Sequence, residues 1–141
     1  MTFEKMEAEI TSYMESTRLF FAFLSLNNFA QNGRVPKVVA SALGTLGISI
    51  LGTASPNGTV EPTGKCRGEK KICKKLLEDM EKAGYHGGRI RLCHIENPLL
   101  AGMLSDFIQQ KYPQAQVMVY PARGLCSYYG EQGGIILGCE T

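Results

Sequence analysis

The chain reads as an α/β domain in which helices pack on a mixed β-sheet, and three features of the sequence point there. Two short, almost wholly apolar runs, residues 19–26 and 48–53, have the length of buried strands rather than of helices. Residues 69–83 repeat their apolar positions at helical spacing, with Ile72, Leu76, Leu77, Met80 and Ala83 on one side. Residues 89–120 carry a strand pattern, a helix pattern and a second strand pattern, which fits a parallel β-α-β crossover.

Taken in order, residues 3–14 place Phe3, Met6, Ile10, Tyr13 and Met14 on one helical face, with Glu4, Lys5, Glu7 and Glu9 around the rest. The apolar run 19–26 follows as a strand, and the polar turn Asn32-Gly33-Arg34 lies beyond it. Residues 38–46 read as a short packed helix ending at Gly47, and 48–53 as the next strand. Pro56-Asn57-Gly58-Thr59 is a tight-turn signal. The return strand is expected over 59–61, stopped by Pro62. Gly84 ends the 69–83 helix, and 89–95 reads as a strand. Asn97 and Pro98 supply a cap and a first-turn proline for a helix that Pro113 ends. Its core face is expected to hold Leu99, Leu100, Met103, Leu104, Phe107 and Ile108. Residues 116–120 form a strand, Tyr128 and Tyr129 fall in a partly buried loop before Gly130, Gly133 and Gly134, and 135–137 form the last strand. With no repeat, low-complexity tract or linker, residues 1–141 are expected to form one domain, with 1–17 as its leading helix.

Composition narrows the function classes. Hydrophobic content of 44% and charged content of 20% are those of a soluble globular protein. A net charge of +2 makes no case for nucleic acid as a partner. The run at 19–26 is far below the roughly 20 residues that span a bilayer, so no membrane span is expected. It also lies behind an acidic first helix, unlike a secretory signal. The five cysteines (Cys66, Cys73, Cys93, Cys126 and Cys139) are odd in number and contain no C-x-x-C pair. Neither zinc nor a disulfide framework is therefore expected, and a reduced, cytoplasmic setting is. Two histidines, His86 and His94, are too few for a histidine-based metal site. No metal and no cofactor are expected.

Three segments carry possible chemistry. Arg34 follows a buried element and stands next to Gly33, which tolerates unusual backbone angles. It is either a surface arginine or a rigid fork of donors aimed at a carboxylate or phosphate. The stretch Lys65-Cys66-Arg67-Gly68-Glu69-Lys70-Lys71-Ile72-Cys73-Lys74-Lys75 holds six basic residues and one acid. Its helix carries lysines first and Glu78, Asp79 and Glu81 later, an order that opposes the helix dipole. Lys70 and Lys74, and Lys71 and Lys75, are like charges at i, i+4. An anion or acidic partner docked at this end would remove the penalty; otherwise it is a solvated charged face. Cys66 and Cys73 lie in this basic stretch, where a lowered thiol pKa is conceivable. Third, Tyr128 and Tyr129 precede glycines that spell no dinucleotide or Walker loop, and either packs or offers a hydroxyl to a ligand. His94 alternates with Ile90 and Leu92 and reads as a core histidine. No nucleophile–base pair stands at a telling spacing, so no enzyme and no catalytic residue is expected.

Together these segments resemble the second, C-terminal lobe of the DegV family, bacterial two-lobed fatty-acid-binding proteins. The family pattern runs from an apolar strand into Gly-Gly-Arg-Ile, matched here by residues 24–35 with Asn32 for the first glycine and Val35 for isoleucine. About thirty residues later the family shows arginine-glycine followed by lysines, matched by Lys65-Cys66-Arg67-Gly68-Glu69-Lys70-Lys71. The β-α-β at 89–120 is similar too. The resemblance implies a non-enzymatic carrier that holds a long-chain fatty acid in an apolar tunnel and presents its carboxylate to a fatty acid kinase. It implies Gly33 and Arg34 at the carboxylate, and Lys65, Arg67, Lys70 and Lys71 on the surface that docks the kinase. The family's His-x-Gly-Pro-Gly is absent, and Tyr129 stands about where its histidine would. A tyrosine can donate a hydrogen bond there but brings no positive charge near neutral pH. The family's first, N-terminal lobe, whose serine and threonine hydroxyls complete the head-group site, is missing from these residues. Two rivals remain: an interaction module that docks an acidic partner through residues 65–75 without lipid, and an enzyme subunit that binds a phosphorylated substrate at the same basic site.

Overall fold

The computed structural model describes residues 1–37, 40 and 47–141. The elements run α1 (Phe3–Glu15), β1 (Thr17–Phe23), α2 (Asn27–Gln31), β2 (Ile48–Ala54), β3 (Val60–Arg67), α3 (Glu69–Lys82), β4 (Arg89–His94), α4 (Pro98–Lys111), β5 (Gln116–Pro121), α5 (Gly124–Gly130) and β6 (Ile135–Glu140). The helix expected over 38–46 lies largely outside the described residues. The six strands form one mixed sheet in the order β3-β2-β1-β6-β4-β5. Only β4 and β5 are parallel, joined through α4 as the crossover pattern requires; every other neighbouring pair is antiparallel. The fold class is thus the expected one.

Two helices make the second layer. Ile72, Cys73, Leu76, Leu77 and Met80 of α3 and Leu100, Ala101, Leu104 and Ile108 of α4 pack on Phe20, Ala22, Leu51, Ile90, Leu92, Ile135 and Leu137 of the sheet. Each such buried aliphatic side chain contributes about 1.5–3 kcal/mol of transfer free energy. The opposite face of the sheet carries a smaller cluster, in which Phe21, Phe23 and Ile50 lie with Leu26, Ala30 and Ala40. From Phe20 to Phe23 β1 is buried on both faces, which is why its sequence there is a continuous apolar run and shows no alternation.

Several expectations change. The chain leaves the sheet at Phe23, not Leu26, because Ser25 and the residues after it turn into α2; the Ser25 hydroxyl accepts the Asn27 N–H at 3.3 Å. Pro62 does not stop β3, which continues to Arg67. β3 is the outer strand, and Pro62 pairs with Gly52 just where the register shifts, so its missing N–H disrupts little. Tyr128 and Tyr129 lie on a helix, α5, not in a loop. Leu99 is 80% exposed because it sits in the first turn of α4, outside the buried stripe of Leu100, Leu104 and Ile108. His94 ends its strand half-buried, and its Nδ1 accepts the Asn97 N–H at 3.3 Å. The apolar face of α1 is left largely open: the helix has no buried residue and Phe3 is 74% exposed, although the Arg89 guanidinium lies 5.5 Å over the Tyr13 ring.

Candidate functional site

The strand registers gather every candidate residue at one end of the sheet. Phe23 at the end of β1 pairs with Ile50, and Ile48 at the start of β2 pairs with Arg67 at the end of β3. On the other side, Ala22 pairs with Ile135 at the start of β6, and Ile135 pairs with His94 at the end of β4. The carboxyl ends of β1, β3, β4 and β5 therefore share one edge, where ligand crevices of open α/β sheets form.

At that edge α2 and α5 lie against each other. Asn28 Nδ2 donates to the Tyr128 carbonyl at 2.6 Å, and Asn32 Nδ2 donates to the Tyr128 hydroxyl at 3.0 Å. The Phe29 ring packs on Tyr129, with centroids 4.7 Å apart and planes tilted by 43°. Phe29 also meets Phe23 at 5.8 Å, and Phe23 stacks on Phe21 at 4.5 Å. A row of rings thus climbs from the sheet to Tyr129, which is half-buried. α5 can approach this closely because Gly130 has no side chain. A Cβ there would stand 2.7 Å from Ile95 Cδ1 and 3.3 Å from Phe23 Cε1.

The turn that carries Arg34 hangs from the end of α2. Gly33 N donates to the Ala30 carbonyl at 3.1 Å and Arg34 N to the Phe29 carbonyl at 2.8 Å. Gly33 has φ 68°, a conformation that the turn needs and glycine supplies without strain. Arg34 is exposed and forms no ion pair among the described residues, so its guanidinium is open to an anion. Gly33, Arg34 and Tyr129 are therefore brought to the same α2–α5 junction. The structure places Lys65, Arg67, Lys70 and Lys71 at the same end of the sheet but on its outer strand and the start of α3, with β2 between them and β1. All four are exposed and form no ion pair among the described residues. Further along α3 the acids take up lysines at i, i+4: Lys74 pairs with Glu78 at 3.9 Å, and Lys75 with Asp79, which also accepts the Thr63 hydroxyl at 2.7 Å.

Sequence reasoning missed Ser25, Asn28, Phe29 and Glu131. Glu131 follows α5 with φ 52° and ψ 174°, a region nearly reserved for glycine, which costs on the order of 1–3 kcal/mol. Its Oε1 accepts the Asn28 N–H at 2.8 Å, and its Oε2 accepts the Ser25 hydroxyl. The signal for it in the sequence was an acid set among glycines. The suggestion of an activated thiol near the lysines is corrected at Cys73: burial pushes it up to about 11, with the Glu69 carboxylate adding to the rise. Among the described residues no group of His, Cys, Asp and Glu could hold a metal ion, and no helix is long and apolar enough to cross a membrane. A hollow of about 900 Å³ lined by Met14, Leu19, Ala54, Pro56 and Gly138 opens at the other end of β1.

This architecture is shared with known proteins. The chain is 56% identical to a DegV family protein of Eubacterium eligens whose crystal structure is loaded with heptadecanoic acid, with a TM-score of 0.95 over 100% of this chain and 51% of that one. It is 38% identical to the Streptococcus pneumoniae Fatty Acid Kinase (Fak) B3 protein loaded with linoleic acid, with a TM-score of 0.94 over 99% of this chain and 50% of that one. A DegV domain-containing protein of Streptococcus pyogenes serotype M3 is 39% identical over 99% of this chain and 50% of its own length. The chain thus spans about half the length of these relatives. The sequence pattern described as uncharacterised protein, DegV family, matches residues 1–136, and on that match the chain belongs to the DegV family.

Proposed function

We propose that residues 1–141 are the C-terminal lobe of a two-lobed fatty-acid carrier, and that Arg34 and Tyr129 hold the acyl carboxylate. The observation that carries this reading is the α2–α5 junction, where the turn of the exposed Arg34 is tied to Phe29 and the Phe29 and Tyr129 rings end a row of aromatic rings. An amphiphile with one anionic end and a long apolar tail suits such a junction. Arg34 supplies the charge and a planar pair of donors, Tyr129 a neutral hydroxyl donor, and the Gly33 turn leaves the head group room. The tail would lie against the sheet face of Leu19, Ile136 and Gly138, which α3 and α4 leave uncovered. The fatty acids in the two relatives at 56% and 38% identity support the ligand class.

An N-terminal lobe of the family's usual kind would close the other side of this site. Lys65, Arg67, Lys70 and Lys71 would dock a fatty acid kinase, a partner class suggested by the Fatty Acid Kinase (Fak) B3 relative. In this role the protein carries and presents its ligand and transforms nothing. The test is native mass spectrometry on the longest natural polypeptide that contains this sequence. An acyl chain should co-purify, and Arg34→Ala should release most of it. An empty wild type that also takes up no added fatty acid, or an Arg34→Ala variant as loaded as the wild type, sinks the carboxylate reading.

A second reading is favoured by the four open cations at β3 and α3: a module that docks an acidic partner without lipid. Charge reversal at Arg67, Lys70 and Lys71 separates the two. A carrier keeps its fatty acid and loses its kinase, whereas under the second reading no fatty acid is bound before or after the change.

A further inference from the structure

Glu131 adopts backbone angles that side-chain-bearing residues avoid, in a stretch where Gly130, Gly133 and Gly134 surround it. A glycine there would be free of strain, yet the position holds a carboxylate whose two oxygens both accept hydrogen bonds, from Asn28 N–H and the Ser25 hydroxyl. Asn28 lies in the first turn of α2 and Ser25 just before it, and α2 has five residues and no side-chain cap of its own. A helix that short does not hold its position unaided. Its far end carries the Gly33–Arg34 turn through the Ala30 and Phe29 carbonyls. The main chain of Glu131 meanwhile closes α5, its N–H donating to the Ser127 carbonyl at 3.1 Å. One residue is thus tied by its backbone to the helix of Tyr129 and by its side chain to the helix that carries Arg34.

We infer that Glu131 is a positioning residue for head-group recognition: by clamping α2 to α5 it sets Arg34 against Tyr129 and so gives the site its preference for an ionised carboxylate over an uncharged head group. This rests on the carrier reading above. The other ties between the helices, the Phe29–Tyr129 ring contact and the bonds from the Asn28 and Asn32 side chains to Tyr128, run through side chains of α2, whereas Glu131 holds a main-chain N–H of its first turn and the Ser25 hydroxyl just before it.

The test compares binding of heptadecanoic acid with that of its methyl ester, which has the same tail and no charge, to the longest natural polypeptide containing this sequence. The wild type should favour the acid by about tenfold or more, the discrimination expected of a charge-assisted hydrogen bond. Glu131→Gly removes the clamp and the strain together. It should keep a near-normal melting temperature and near-normal ester binding while most of the preference for the acid disappears. Glu131→Gln, which can still accept from Asn28 and donate to Ser25, should restore most of that preference. In an Arg34→Ala background Glu131→Gly should change nothing further, because both act on one interaction. A general loosening of the fold would instead weaken acid and ester alike.

A Glu131→Gly variant that keeps the full acid preference overturns the inference and leaves the carrier reading standing. A wild type that does not distinguish acid from ester, or an Arg34→Ala variant that distinguishes them fully, removes the carboxylate site and this inference with it. If Glu131→Gly does not fold, Ser25→Ala carries the test, since it deletes one of the two bonds from the other side. An unchanged ratio in that variant overturns the inference equally.

Discussion

At Cys73 and Cys139 burial decides the character of the thiol. Cys73 faces the core of α3, and burial raises its pKa to about 11; Cys139 on β6 is pushed up to about 12 for the same reason. Cys126 on α5 is exposed. Brief treatment with iodoacetamide at pH 8 should therefore alkylate Cys126 and spare Cys73 and Cys139 until denaturant is added, as peptide mass mapping would record. Equal labelling of all three under native conditions would contradict the packing described. Carboxylates respond to the opposite influence. Glu140 is held below its ordinary value of 4.5 by the Arg89 backbone N–H and then by the Arg89 side chain, whose Nε lies 2.6 Å from Oε1. A depressed folded-state pKa means stability that is present above the unfolded value and lost as pH falls through the folded one. Urea unfolding should accordingly find Glu140→Gln less stable than wild type at pH 7, with the gap closing as pH drops below 4.5.

α3 is arranged against its own stability at one end and for it at the other. Lys70 and Lys71 sit in its first turn, where the dipole is positive, whereas Lys74 and Lys75 are neutralised by Glu78 and Asp79. Replacing Lys70 and Lys71 by glutamate should raise stability by about 0.3–1 kcal/mol per residue while abolishing association with an acidic partner, including the kinase of the carrier reading. A melting temperature that falls in this variant would show that the lysines serve the fold. The helix itself was readable from its period, and residues 69–83 became Glu69–Lys82. Ends and edges were less readable. Proline is a strand stop only where its N–H is needed, and nothing local reveals that Pro62 lies on an outer strand beside a register shift. α5 is too short, with glycine at both ends, to display a period, so its tyrosines looked like loop residues. The site was legible only in part for a related reason. Arg34 could be singled out by the buried run before it, but its meeting with α5 joins residues such as Asn32 and Tyr128, 96 positions apart. Glu131 declares itself only through a backbone angle and two distant partners.

Across the whole molecule, one face of the sheet packs against α3 and α4 and the other is more open. Leu19, Met118 and Tyr120 are 42%, 46% and 39% exposed, and α1 adds Phe3, Ile10 and Met14 to the uncovered apolar surface. If the other half of the family's length covers this surface, amide exchange should report it. In the 141-residue chain α1 should exchange within seconds while α3 and α4 remain protected, because exchange tracks local burial. In the longest natural polypeptide containing this sequence, α1 should become slow. Fast exchange in both would show that this surface stays open to water.

The central place of β6 has a consequence for how the protein comes into being. It follows the other five described strands in chain order, yet it lies between β1 and β4 and joins β3-β2-β1 to β4-β5. A growing chain emerges from the ribosome at about 5–20 residues per second with its N-terminal parts first. Until β6 has emerged, the preceding strands can form only two separate half-sheets, each with a raw edge where β6 will go. The sheet is welded only once residues Ile135–Glu140 have been made. A nascent copy stalled just short of them would be two unsatisfied edges awaiting one strand, the state in which this sequence is most open to pairing with the wrong partner.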